Sequence, residues 1–291
     1  MTMRTATIDD AEALLDLWNA SAQFDPLTPA LLQEKLWEDP NFDPDGLLLA
    51  VDDDRPVGFA LGVLRPNGLG YVKMMAVLPT FRRRGWGGAL LATLEQQLAR
   101  QGATALRVWD CHPNYLQPGQ DVRYTEGILF LAKHGFEKFG ETYNLVCDLS
   151  QEFPEETHSS LEVRRAQATD REAIFELVDE QFPIWRAEVT AMLANDPISL
   201  HLGLAAGKVV GFSGYDGNNR STGWFGPMGT HPQQRGSGLG RILLRRCLQD
   251  MKSQGQRTAV IPWVGPYGFY AQHCGARIDR VFWRYEKILP V

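Results

Sequence analysis

The sequence predicts a mixed α/β protein made of two tandem copies of one domain, each a largely antiparallel sheet flanked by helices. Three observations carry this. "VGFALG" from Val57 recurs as "VGFSG" from Val210, and the spacing of 153 (210 less 57) is kept by Arg82 and Arg235, Gly85 and Gly238, Gly87 and Gly240, and Gln101 and Gln254. A register held through strand, loop and helix marks a duplicated unit, with a period far too long for a solenoid. Each copy also orders its elements alike: helices first, then short β-rich runs, then a glycine-rich turn opening a long helix. Finally, "SQEFPEETHSS" from Ser150 to Ser160 is polar, acidic and proline-bearing, as linkers are. The expected domains are residues 1–150 and 160–291.

In the first copy, Asp9-Asp-Ala-Glu12 reads as a capping box opening a helix; Thr169-Asp-Arg-Glu172 opens its counterpart, running to about Phe182. Second helices are expected over about 28–36 and 185–193. Strands follow at 47–51, 56–64 and 71–77, and in the second copy at 200–205, 208–214 and 224–230. After the glycine turn, Leu90, Leu91, Leu94 and Leu98 fall at helical spacing. A strand (105–109; 258–262), a short helix and a final strand (142–149; 281–288) close each copy.

The two glycine turns are where chemistry is expected. Arg235-Gly236-Ser237-Gly238-Leu239-Gly240-Arg241 lets successive backbone N–H groups converge on one anion, because glycine accepts positive φ and carries no side chain. The helix that follows adds unsatisfied N–H groups and a partial positive charge, and arginine adds fixed charge. A solvent-exposed basic turn is the plainer reading; its recurrence in register, each time after x-Pro and before a helix, favours the anion cradle. A dinucleotide fold would place Gly-x-Gly-x-x-Gly on its first strand–helix turn, and a P-loop would need Gly-Lys-Ser/Thr. Neither pattern is present.

With these turns in place the sequence resembles the GNAT acyltransferase superfamily, whose signature is Arg/Gln-x-x-Gly-x-Gly/Ala. Arg82-Arg83-Arg84-Gly85-Trp86-Gly87 and Arg235-Gly236-Ser237-Gly238-Leu239-Gly240 both match it. The resemblance covers nearly the whole chain as a tandem pair. It implies that the turns bind the pyrophosphate of coenzyme A, and that Met228-Gly229-Thr230, with Met75-Ala76-Val77 in the first copy, pair their backbone with the pantetheine arm. Arg82, Arg83 and Arg84 either bind the 3′-phosphate of coenzyme A or form a solvated basic turn.

Transfer from a thioester to an amine needs a proton for the leaving thiolate, and a tyrosine hydroxyl can supply it. The family carries this tyrosine on the short helix after the fifth strand, which assigns the role to Tyr270 in Gly268-Phe-Tyr270, although Tyr270 stands one residue further from Gly275 than the family spacing. Aligning Gly135 with Gly275 sets Phe130 under Tyr270, so the first copy lacks the hydroxyl and reads as degenerate. The changed offset also leaves 13 extra residues in the first copy around "CHPNYLQPGQDVRY", where Tyr115 or Tyr124 offers a substitute acid. The general base stays open between Asp216, His231 and a water chain. The asparagine common in the family after the fifth strand is absent from Pro262-Trp-Val-Gly-Pro266.

Other features weigh less. Asp110-Cys111-His112 lacks a third converging ligand, and no metal is expected. Trp185, Tyr215, Trp224, Trp263 and Tyr267 are core residues by default, or in part an aromatic acceptor pocket for a cation. Of the 291 residues 44% are hydrophobic and the formal net charge is −6; the pI is near 5.6. That balance argues against a nucleic-acid partner. No apolar run nears the roughly 20 residues of a membrane helix, and "MTMRTATIDD" has no signal layout, so a cytoplasmic protein is expected. Four scattered cysteines suit reduced thiols. The expected function is acetyl-CoA-dependent N-acylation of a small-molecule amine by direct transfer, in a monomer or homodimer; the alternative is a non-catalytic acyl-CoA-binding regulator or scaffold.

Overall fold

The computed structural model describes residues 2–289. In chain order the first copy supplies β1 (Thr2–Thr5), α1 (Ala11–Ser21), α2 (Pro29–Lys35), β2 (Leu47–Asp52), β3 (Arg55–Leu64), β4 (Leu69–Val77), α3 (Trp86–Arg100) and β5 (Ala105–Val108). The two-residue β6 (Gln120–Asp121), α4 (Thr125–Lys133) and β7 (Glu137–Asp148) complete it. The second copy supplies β8 (Glu162–Arg165), α5 (Arg171–Gln181), α6 (Arg186–Ala194), β9 (Leu200–Ala205), β10 (Lys208–Tyr215), β11 (Phe225–Thr230) and α7 (Leu239–Ser253). It ends with β12 (Thr258–Ile261), α8 (Tyr267–Cys274) and β13 (Arg277–Ile288).

The expected elements are present, with local differences. The first helices are capped two residues earlier than the sequence suggests: the Thr7 N–H donates to Asp10 (2.8 Å) and the Gln167 N–H to Asp170 (2.7 Å), each through a 3-10 turn. Arg4 and Arg164 then grip the same carboxylates. The short strands β1 and β8 have no counterpart in the sequence reading; every residue of β1 is exposed, so burial leaves no periodic signal there.

Two compact units result. One comprises Met1–Thr142 with Phe282–Val291, the other Tyr143–Val281. A unit is not the same thing as a repeat, because each repeat's last strand finishes in the other repeat's sheet. In the first unit the antiparallel meander β1–β2–β3–β4 continues through β5, parallel to β4, to the end of β13, where Glu286, Lys287 and Ile288 pair with Arg107, Leu106 and Ala105. In the second, β8–β9–β10–β11 is antiparallel, a parallel bridge joins Trp224 to Val260, and β12 pairs with β7 from Thr258↔Asp148 to Ile261↔Leu145.

Helices cover both faces of each sheet. Along β3, Phe59, Leu61 and Val63 pack under α1 and α2, while Val57 and Ala60 pack under α3 through Leu90, Leu91 and Leu94. In the second unit Leu200, Leu202 and Phe212 meet α5 and α6, and Phe225, Ala259 and Ile261 meet α7 through Leu244, Cys247 and Leu248. All four cysteines are free and buried. No helix among the described residues is long and apolar enough to cross a membrane.

Candidate active site

The second unit's glycine turn joins the end of β11 to α7. Gly236 has φ 78° and Gly238, the N-cap of α7, has φ 93°, both in the left-handed region that glycine enters without strain. The backbone N–H groups of Gly236, Gly238, Gly240 and Arg241 donate to no acceptor among the described residues. They meet at the positive end of a 15-residue helix. Arg235 bonds to no other described residue, so its guanidinium is open to a ligand. Arg241 is engaged: it reaches Glu156 at 2.8 Å, and Arg245 holds the same carboxylate. His158 also contacts the Ser237 carbonyl at 3.0 Å. Residues 156–158, read from sequence as linker, thus lie along the cradle.

The first unit repeats the backbone but not the side chains. Gly85 has φ 92°, and Arg83 takes φ 60° where the second unit has Gly236. Arg82, however, is fully occupied: Nε donates to the Val77 carbonyl (3.1 Å), Nη1 to Glu126 (2.6 Å) and Nη2 to the Ser21 carbonyl (3.1 Å). Arg84 lies over the Phe81 ring at 5.1 Å.

Behind the cradle, the strand leading into it bulges at an equivalent place in each unit. Leu61 pairs with Met74 and Gly62 with Val72, leaving Lys73 unpaired; Ser213 pairs with Met228 and Tyr215 with Phe225, leaving Gly226 and Pro227 against a single residue. A bulge frees a backbone amide from the ladder and re-aims the strand. Here it stands where β11 leaves β12, since only Trp224 bridges to Val260. The result is a cleft between two diverging parallel strands, with the cradle at one end and the bulge at the other. No feature of the local sequence announced the bulges.

Tyr270, on α8, stands beside Phe225, the first residue of β11, where the two strands part. Its ring packs edge-on against Phe225 (6.1 Å) and Phe269 (5.2 Å). The residue is 8% exposed, its hydroxyl bonds to no other described residue, and its oxygen keeps contact with solvent. Burial, and to a smaller degree Cys274, push the hydroxyl's pKa well above its ordinary value, so it stays a neutral donor. The first unit corrects the sequence alignment by one residue. Phe130 lies over Gly87 beside Met75, as Phe269 lies over Gly240 beside Met228, and His134 and His273 flank the two phenylalanines alike. Phe130 therefore matches Phe269, and Leu131 stands at the place of Tyr270. The extra residue lies at the C-terminal end of α8, which is capped by Gly275 itself, whereas α4 is capped by His134 with Gly135 beyond.

Asp216 directly follows β10, with φ 52°. Its carboxylate accepts the Ser221 N–H (3.1 Å) and its own N–H donates to the Trp224 carbonyl (2.9 Å). It lines a cavity of about 220 Å³ with Asn195, Ser199, Tyr215 and Gln254. No hydrogen bond links it to Tyr270. His231 caps the turn before the cradle by accepting the Gln233 N–H (3.3 Å), a structural duty. The five aromatics do not gather into one cage: Trp185 stacks on Phe182 in the core under α5 and α6, whereas Tyr215 is buried in the core under α7 and its hydroxyl accepts from Gln254. Tyr267 is exposed and meets Tyr143 edge-on at 6.4 Å.

Sequence reading missed a buried charge cluster in the first unit. Asp39 takes two bonds from Arg65 (2.6 and 2.8 Å) and one from Lys73 of the bulge (2.5 Å). Burial raises the Asp39 carboxyl, but Arg65 and Lys73 together outweigh it and hold it below the usual range. Burial also lowers the Lys73 ammonium. Nearby, burial lifts Asp110 to about 6 despite Arg284, and lifts the Cys111 thiol to about 12. Arg65 also donates to the carbonyls of Cys111, His112 and Pro113, which makes the Asp110–His112 stretch part of this scaffold. Tyr124, offered as a substitute acid, is tied to Asp25 and the Phe24 N–H, and Tyr115 is buried. No group of side chains suited to hold a metal occurs among the described residues.

A glycine-built anion cradle, a strand bulge and two diverging parallel strands define an acyltransferase fold, present here twice. The chain belongs to the acetyltransferase (GNAT) family, whose model matches residues 11–121 and 156–276. Among solved structures it is similar to a GCN5-related N-acetyltransferase from Sphaerobacter thermophilus (19% identity, TM-score 0.77, covering 100% of this chain and 96% of that one). It is also similar to a tandem GNAT protein from the clavulanic acid biosynthesis pathway (16% identity, TM-score 0.74, covering 100% and 98%). A curated relative, the L-2,4-diaminobutyric acid acetyltransferase of Nocardia farcinica (strain IFM 10152), is 43% identical over 65 residues; the match spans 22% of this chain and 34% of that protein.

Proposed function

We propose that the protein transfers an acetyl group from acetyl-CoA to the amine of a small molecule, and that the second unit does the chemistry. One contrast carries the reading. The second unit combines free cradle amides and a free Arg235 with a tyrosine hydroxyl at the cleft, whereas the first has Arg82 tied down and Leu131 in the tyrosine's place.

The cradle holds the pyrophosphate, and the thioester arm runs down the cleft along Met228, Gly229 and Thr230. The bulge at Gly226–Pro227 turns β11 where the thioester carbonyl would lie. The neutral amine attacks the carbonyl carbon; the C–N bond forms, the C–S bond breaks, and the Tyr270 hydroxyl protonates the departing sulfur. The proton lost by the amine leaves through water, with Asp216 on the loop after β10 as its proposed acceptor. The partial likeness to a diaminobutyrate acetyltransferase supports an amino-acid-like acceptor with a side-chain amine.

The test is thiol release from acetyl-CoA across a panel of amines, diamino acids among them, with wild type and Tyr270→Phe. Loss of one leaving-group donor is expected to lower kcat about 10²-fold or more with the acetyl-CoA KM little changed. Equal turnover by the variant across the pH range would remove Tyr270 from the reaction.

A further inference from the structure

The far wall of the second unit's cleft is not made by the second repeat alone. The β7–β12 ladder ends at the pair Leu145↔Ile261. Past it the two segments stay joined by two contacts of another kind. The Asn144 side-chain oxygen accepts the Trp263 N–H (3.1 Å), and the Tyr143 carbonyl accepts the Val264 N–H (3.0 Å). Trp263 has φ 48°, a left-handed conformation that a large side chain adopts only when its surroundings hold it there. Asn144 is 2% exposed, so its amide is fixed by packing.

What this hydrogen bond holds has two ends that matter. On one side Trp263 lies one residue beyond the end of β12, after Pro262. On the other, three residues later, Pro266 is the N-cap of α8, which carries Tyr270. The turn 262–266 therefore sets both how far β12 stands from β11 and where α8 begins. A side-chain acceptor is needed because the regular ladder has stopped: a backbone carbonyl in register would continue β12 as strand, whereas an asparagine oxygen accepts from a left-handed residue.

Resting on the function proposed above, we propose that Asn144, delivered by the last strand of the first repeat, is a positioning residue for acyl transfer in the second unit. It acts through the Trp263 N–H on the placement of Tyr270 relative to the thioester. The first repeat thus contributes to the site directly, whatever its own cradle binds.

The experiment uses the full chain with Asn144→Leu, which keeps the shape and removes the acceptor, and Asn144→Asp, which keeps an acceptor oxygen in the same place. Acetyl-CoA binding is followed by thermal shift, and kcat and KM by thiol release. The expected result for Asn144→Leu is a kcat at least about tenfold lower, because a small misplacement of a catalytic group is costly, with acetyl-CoA binding within about threefold of wild type. Asn144→Asp restores most of kcat. Should Asn144→Leu not fold, Asn144→Ala, which removes the acceptor without adding an apolar branch, is held to the same expectation. A merely structural role would lower the melting temperature and leave kcat per folded molecule unchanged, and that result overturns the proposal. So would equal loss of kcat in the Leu and Asp variants. Failure of wild type to release thiol with any amine removes the underlying reading and this proposal with it, whereas turnover that survives Asn144→Leu removes this proposal alone.

Discussion

Single residues separate two units that share a backbone. Asp39 shows how firmly the first unit has committed its interior to structure. Its carboxyl pKa is depressed in the folded protein, so the stability it gives is fully present above the unfolded value near 4 and is lost as pH falls through the depressed folded value. Asp39→Asn should cost about 3–5 kcal/mol at neutral pH, because it leaves Lys73 and Arg65 buried without their counter-charge, and should remove that acid-side loss. Urea denaturation at pH 7 and at pH 3.5 checks both halves. Glu156 makes the opposite kind of case. It neutralises Arg241 and Arg245 beside the cradle, where a ligand phosphate would bring the same charge. Glu156→Gln is therefore expected to tighten acetyl-CoA binding about two- to fivefold, the range of a partly exposed ion pair. Calorimetric titration reads this directly, and weaker binding would mean that Glu156 orders the arginines rather than competing with the ligand.

At the scale of elements, the turn into α7 is the clearest case of backbone geometry dictated by sequence. A Cβ placed on Gly238 would meet nothing closer than Arg241 Nη2 at 3.9 Å, so space is not the obstacle. The φ of 93° is. Gly238→Ala should lower stability by about 1–2 kcal/mol and weaken acetyl-CoA binding together, since the strained turn and the cradle are one object. Thermal unfolding with and without acetyl-CoA separates the two effects. This element was legible because glycines, x-Pro and helix periodicity are local signals. The alignment of α8 was not: one extra residue at the end of a short helix shifts every partner by one, and only Phe130 and Phe269, each seated on its motif glycine, revealed that Leu131 answers Tyr270. The Asp39–Arg65–Lys73 cluster was hidden for a related reason. Its other two members lie 26 and 34 residues from Asp39, the three coming from two loops and one strand, and no periodicity links them.

For the whole molecule the decisive feature is the exchange of final strands. The order of elements and the duplication could be read from the chain, because both are carried by pattern along it. Which sheet the last strand joins could not, since residues 142–149 and 281–288 show the same strand character whichever neighbour they take. Removing residues 282–291 should therefore loosen the first unit, not the second in which most of the same repeat lies. The loss of Phe282, Tyr285 and the pairing at Glu286–Ile288 uncovers β5 and β6. Hydrogen exchange is expected to accelerate at residues 105–108 and 120–121 while 258–261 stays protected. Faster exchange at 258–261 alone would contradict the exchange of strands.

The same feature bears on how the protein comes into being. Synthesis is vectorial, and domains ordinarily close as they leave the ribosome. Here the sheet begun by β1 to β5 waits for Phe282–Ile288, which emerge after every other part of that unit. Meanwhile β7, already translated, has no partner until Thr258–Ile261 arrive. While the residues between Asp148 and Thr258 are being translated, the nascent chain carries an open edge at β5 and an unpaired β7 together, the state in which β proteins are most exposed to wrong pairing. Expression should accordingly be more sensitive to chaperone supply than the size of either unit suggests.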